Sequence, residues 1–119
     1  MRRLAMGVID GSHGLNSMLD GRFGRTPCFL VVDTSSRQIV EVVDNDGRHA
    51  AHGAGLSAAT LVRSHDVDGV VAERFGPKAA EVLDAMGIAM LRGAAGATVS
   101  QTLQDWEEGR LGRGSSRQP

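Results

Sequence analysis

The sequence predicts an α/β protein built on one mixed sheet of about five strands, with helices on both faces and a single strand running against the others. Three observations carry that expectation. Three short apolar runs come first, at residues 4–9, 29–33 and 38–43, and the last two are close enough to form a hairpin. Helical periodicity then alternates with apolar runs at 67–73 and 88–91. Two successive strand–helix–strand units require parallel neighbours, because only a crossover returns the chain to the same end of a sheet.

Each element follows from local chemistry. Leu4 to Ile9 runs into the turn cluster Asp10-Gly11-Ser12, which ends a first strand. Residues 11–26 are glycine-rich and show neither periodicity, so they form a long loop of the kind that carries function. Phe29 to Asp33 is continuously apolar, as a strand buried on both faces is. After the turn Ser35-Ser36-Arg37, the strand Gln38 to Val43 puts Ile39, Glu41 and Val43 on one side and Val40 and Val42 on the other. Asn45 to Gly55 is polar and contains His49 and His52-Gly53-Ala54-Gly55. A first helix over 55–65 buries Ala58, Leu61, Val62 and His65. A second opens at Gly76-Pro77, carries Ala79, Val82, Leu83 and Met86 inward, and stops at Gly87, the residue suited to a left-handed turn. Thr98-Val99-Ser100-Gln101 has the form of a capping box for a third helix that buries Val99, Leu103 and Trp106 and ends near Gly109. Residues 1–109 read as one domain and 110–119 as a disordered basic tail.

Composition narrows the function. The net charge is −1, but Arg110, Arg113 and Arg117 lie in the last ten residues, so the body carries 10 basic against 14 acidic side chains, or −4. That balance, with three Phe, one Trp and no Tyr, opposes nucleic-acid binding. One cysteine, Cys28, excludes an internal disulfide, a zinc ribbon and a cysteine-ligated iron–sulfur cluster. No apolar run is long enough to span a bilayer, and a monomeric cytoplasmic protein with no membrane partner is expected.

The carboxyl ends of parallel strands carry the site in such sheets. Four loops should converge there, 11–26, 45–55, 73–77 and 92–98, and three of them open helices whose N-termini attract anions. Walker A is absent, and Gly93-Ala94-Ala95-Gly96 follows the last strand rather than the first, so nucleotide binding is disfavoured. Asp10, Asp33 and Glu73 would serve a metal-dependent phosphoryl-transfer enzyme only if they met, and Asp33 belongs at the far edge. A protein-interaction adaptor is a further alternative.

Several segments together resemble the dinitrogenase iron-molybdenum cofactor family. The loop and strand Asp20 to Asp33, with Arg22-Phe23-Gly24-Arg25, carry the resemblance first. His52-Gly53-Ala54-Gly55, Asp68 to Ala79, and Leu83 to Gly96 follow in the family's order, so that residues 4–109 are covered. The resemblance implies a ribonuclease-H-like α/β/α fold and a non-catalytic protein that holds or carries a molybdenum-containing sulfide cluster, with copper beside the molybdenum, or iron as the alternative, and a donor or acceptor protein as partner. Many family members have His where Arg22 stands; an arginine cannot ligate metal, so the anion would be held by charge, N–H donors and apolar walls. On this reading Arg22, Arg25 and Arg74 neutralise the anion, Gly53, Gly55 and Gly76 admit backbone donors, Phe23 walls the pocket and Gly24 belongs to the binding set. His13 and His52, with Cys28 as a soft alternative, are the expected direct metal contacts.

Overall fold

The structure, a computed structural model, describes residues 1–114 of the chain. Strand β1 (Arg3–Val8) is followed by 3-10 turns at Gly11–Asn16 and Phe23–Arg25, then by β2 (Cys28–Asp33) and β3 (Gln38–Asp44). A third 3-10 turn (Asp46–His49) leads to helix α1 (Ala54–Ser64), β4 (Gly69–Ala72), α2 (Pro77–Ala85), β5 (Ala89–Arg92), α3 (Val99–Glu107) and β6 (Gly112–Arg113). The sheet order is β3-β2-β1-β4-β5-β6. β1, β4 and β5 run parallel, and β2 lies antiparallel to both β1 and β3.

The alternation of apolar residues along each strand sorts the core onto the two faces. Phe29 and Val31 of β2, Val70 of β4 and Met90 of β5 face α1 and α2, where they meet Ala58, Val62, Ala80 and Leu83. Leu4, Met6 and Val8 of β1, with Leu30, Val32, Val71 and Leu91, face α3 through Val99 and Leu103. Two helices therefore cover one face and one helix the other. Among the described residues no helix is long and apolar enough to cross a membrane.

Three expectations need correction. The sheet has six strands rather than five, and two run against the rest, because β6 pairs antiparallel to β5. That pairing, Leu91 with Arg113 and Arg92 with Gly112, also moves ordered backbone into the stretch read as a tail from residue 110; residues 115–119 lie outside the described residues. Third, a bulge interrupts the β2–β3 ladder, where Val31 pairs with Glu41 and Val32 with Ile39. The extra residue, Val40, reverses the pleat. Ile39 therefore packs on the α3 side while Val43 packs on the α1–α2 side, although both belong to one side of a regular strand.

Backbone signals behave as their chemistry requires. Gly87 has φ +73° just past α2, and Thr98 caps α3 by accepting the Gln101 N–H at 3.1 Å. The Gln101 side chain does not complete the box; it donates to Asp105. At the other end of the sheet, Asp68 accepts the N–H groups of Arg2 and Arg3 at 2.8 and 2.9 Å, which fastens the start of β1. Those donors hold its carboxyl below the ordinary carboxylate range. A depressed folded pKa stabilises above the unfolded value and is lost as pH falls through the folded one. Asp68→Asn should therefore be less stable than the parent at neutral pH, with the gap beginning to close near about pH 4, in urea denaturation repeated over a pH series. A gap independent of pH would contradict this.

Candidate functional site

The turn Phe23–Arg25 is the hub of the carboxyl end of the sheet. Phe23 is 1% exposed and lies 5.4 Å from the Phe29 ring and 5.5 Å from the Phe75 ring. Its N–H donates to Arg74 O, and the Arg74 N–H donates to Gly21 O, so loops 20–26 and 73–77 run side by side. Gly24 brings the turn against α1: a Cβ there would sit 3.0 Å from Gly55 N and 3.1 Å from Gly55 Cα. Gly55 in turn abuts α2, since its Cβ would lie 2.9 Å from Ala79 Cβ. Glycine at 24 and 55 is thus required by close packing of three chain segments.

Between these segments opens a cleft of about 540 Å³. All nine residues expected to bind the guest line it: Arg22, Phe23, Gly24, Arg25, His52, Gly53, Gly55, Arg74 and Gly76. Phe75, Pro77, Lys78, Ala51, Ala54 and Ala79 complete the wall. Lys78 is the fourth cation, and among the described residues no carboxylate lines the cleft. The N-termini of α1 and α2 both open into it. Their N-cap residues, Gly53 and Gly76, supply no side-chain acceptor, unlike Thr98 at α3. Unpaired N–H groups and the positive helix ends therefore add to the charge of the side chains.

The arginines are not equivalent. Arg25 donates to Arg48 O at 2.7 Å and Ala50 O at 2.8 Å, which ties the turn to the segment 45–50. Arg22 and Arg74 are exposed and make no side-chain bond within the described residues. Their backbones form an isolated parallel bridge, which sets the two side chains next to each other at the mouth. Proximity of two like charges costs free energy unless an anion relieves it.

Other expectations fare differently. The loop 92–98 does not reach this cleft. It is stitched to the neighbouring loop by Gly96 N–H to Leu19 O and Leu19 N–H to Ala97 O, and Ala95 N–H donates to the Glu73 carboxylate. The expected metal contacts are also separated. His52 lines the basic cleft; His13 is exposed and lies 3.5 Å from Asp10. Cys28 is 6% exposed and lines a different, larger cleft of about 920 Å³ with Asp10, Asp44, Asp46 and His49. Burial raises its thiol pKa, which disfavours the thiolate that metals prefer. Among the described residues no three His, Cys, Asp or Glu side chains gather to hold a metal ion. Asp33 spends its carboxylate on the Ser35 and Ser36 turn and pairs with Arg3 at the far end of β1 from Asp10, so the three carboxylates of the phosphoryl-transfer reading do not meet.

Sequence reasoning passed over Asn45. It is 2% exposed and donates its Nδ2 to Thr26 O at 2.9 Å and Gly24 O at 3.3 Å. With Arg25 it makes the wall between the two clefts. A lone Asn after a strand carries no signal that distinguishes it from a turn former.

The domain is a three-layer α/β fold with a cationic cleft at the strand ends, where among the described residues no carboxylate joins the lining. The chain belongs to the dinitrogenase iron-molybdenum cofactor family, whose sequence profile matches residues 6–109. The apo form of the orange protein from Desulfovibrio gigas superposes with a TM-score of 0.89 at 33% identity, covering 96% of this chain and 93% of that one. The Thermotoga protein TM1290 superposes with a TM-score of 0.79 at 34% identity, over 95% and 93% of the two chains. The uncharacterized protein MJ0580 of Methanocaldococcus jannaschii is 29% identical over 98 residues, 81% of this chain and 82% of that protein. Family membership and the likeness to the orange protein point to binding or carrying of a metal–sulfur cluster.

The packing makes a contrast testable. Gly24→Ala should cost about 1–3 kcal/mol, because its Cβ meets backbone. Gly76→Ser faces open space and supplies a cap, so it should raise stability by roughly 0.3 kcal/mol. Thermal or urea unfolding of both variants decides; equal stability of the two would refute the packing argument.

Proposed function

We propose that this protein is a non-catalytic carrier for a molybdenum-containing sulfide cluster, held mainly without covalent bonds in the basic cleft. A molybdenum–copper sulfide cluster is the expected guest, and an iron–molybdenum cluster is the alternative. The observation that supports it most is the lining: four cationic side chains, two uncapped helix N-termini and, among the described residues, no carboxylate. Such a cleft suits an anion that brings its own sulfide ligands and needs none from the protein.

The residues divide the work. Arg22, Arg74 and Lys78 balance the charge, and the first N–H groups of α1 and α2 donate to the cluster surface. Phe23, Phe75 and Pro77 supply the apolar wall against which polarisable sulfur packs. His52 is the one imidazole in place for direct contact. Arg25 acts by framing the cleft, since its donors are committed to Arg48 O and Ala50 O. The cargo would come from a donor protein and pass to an acceptor, with the chain itself a monomer in the cytoplasm.

Tetrathiomolybdate with copper gives a coloured probe for this reading. The Arg22→Ala, Arg74→Ala double variant should fold normally and hold the chromophore about thirtyfold more weakly, from roughly 1 kcal/mol per charge. Gly76→Ser should be more stable yet bind more weakly, because its hydroxyl occupies the N–H groups the anion needs. Undiminished retention in both variants, measured by gel filtration at low ionic strength, would remove the cleft from consideration.

A further inference from the structure

The larger, acidic cleft lies on the other side of the wall made by Asn45 and Arg25, and nothing in the reading above uses it. Strand β3 forms its rim and is also the last strand of the sheet on that side. The Asn45 N–H donates to Pro27 O at 3.0 Å. Bonded and non-bonded pairs alternate along an antiparallel ladder. Val43 opposite Phe29 is then a bonded pair, whereas Val42 opposite Leu30 and Asp44 opposite Cys28 are non-bonded ones. The main-chain N–H and C=O groups of Val42 and Asp44 therefore point away from β2, towards open solvent.

The side chains of the same two residues line the cleft. Val42 is 61% exposed, and Ile9, 51% exposed, lines the cleft with it. Asp44 and Asp46 are exposed carboxylates with no side-chain hydrogen bond among the described residues. Asp10 adds a third acid, already engaged by the Ser12 N–H at 2.9 Å, and Arg48 and His49 are the basic groups on the lining. Asn45 lines the cleft as well, and its buried Oδ1 has no partner among the described residues. An unpaired strand edge, an exposed apolar pair and an excess of negative charge meet in one place.

We propose that this edge docks an extended segment of a partner protein, added beside β3 as a further strand. The segment carries, at alternate positions on one face, an apolar side chain for Val42 and Ile9 and basic side chains for Asp44 and Asp46. Charge decides against a second copy of this chain: β3 paired with itself would bring Asp44 and Asp46 towards the same acids. It decides against nucleic acid for the same reason. The Val40 bulge confines pairing to the stretch 41–44, so the contact is short and relies on the acids for affinity. The docked segment would touch 45–50, which also frames the basic cleft through Asn45 and Arg25.

The full chain without any cluster suffices for the test, so its outcome is independent of the cargo reading. The probe is an acetylated peptide, Thr-Val-Thr-Arg-Thr-Arg amide, and its control has Glu in place of Arg. At millimolar peptide, NMR should show slowed exchange of the Val42 and Asp44 amides. The Asp44→Asn, Asp46→Asn double variant should bind the peptide about tenfold more weakly. Unaltered Val42 and Asp44 amides, equal binding of the Glu peptide, or full binding by the double variant would each overturn the proposal. So would protection of those amides that rises with protein concentration alone, which marks self-pairing.

Discussion

Three segments converge at Gly24, Gly55 and Ala79, and at the two glycines there is no room for a side chain. This close approach sets the geometry of the carboxyl end of the sheet. It draws the first turns of α1 and α2 together, so that two partial positive charges point into one space. It also fixes the turn Phe23–Arg25 against both helices, with the Phe23 ring as the anchor beneath it. The basic cleft is thus a product of backbone packing first and of side-chain charge second. Remove the packing and the arginines remain on the surface as ordinary solvated groups.

The molecule separates charge over a short distance. The basic cleft lies on the side of the sheet covered by α1 and α2, where Phe23 is part of the core; the acidic cleft lies on the α3 side, where Cys28 is. A body with an excess of carboxylates keeps a cleft cationic only if those carboxylates are held out of it, and among the described residues they are. Glu73, next in sequence to Arg74, is turned onto the Ala95 N–H, and Asp20 accepts the N–H of Gly21. Glu73 and Asp20, acids close to the cleft, are thus occupied by backbone donors.

Much of this was legible in the sequence. The parallel β1-β4-β5 unit followed from periodicity, since a helical stripe such as Ala79, Val82, Leu83 and Met86 lies between two apolar runs and only a crossover joins them in one sheet. Gly76-Pro77 and Gly87 gave the ends of α2 because their backbone chemistry admits little else. Nine of the residues lining the basic cleft were reached through the family resemblance, and the parallel topology placed their three loops at one end of the sheet. What was illegible depends on contacts distant in sequence. The bulge at Val40 reflects how β3 fits β2, and a run of valines looks the same in either register. β6 is two residues long and polar, so only its partner β5 makes it a strand. Arg25 reads as one more cation until its carbonyl acceptors, more than twenty residues away, are known. The loop 92–98 shares the chemistry of the other glycine-rich loops, but its helix brings its own cap.

The seclusion of the only sulfhydryl has a practical side. Cys28 sits under Gly11, where an added Cβ would come within 2.9 Å of its sulfur, and beside Leu30 in the interior. Only 6% of Cys28 is exposed, on the lining of the acidic cleft, so an alkylating reagent reaches it faster when the segment around residue 11 lifts from the sheet. The rate of labelling is therefore an internal clock for that excursion, built into the native chain and needing no engineered reporter. Run with and without an added binding partner, the same clock would tell whether occupancy of one compartment stiffens the other.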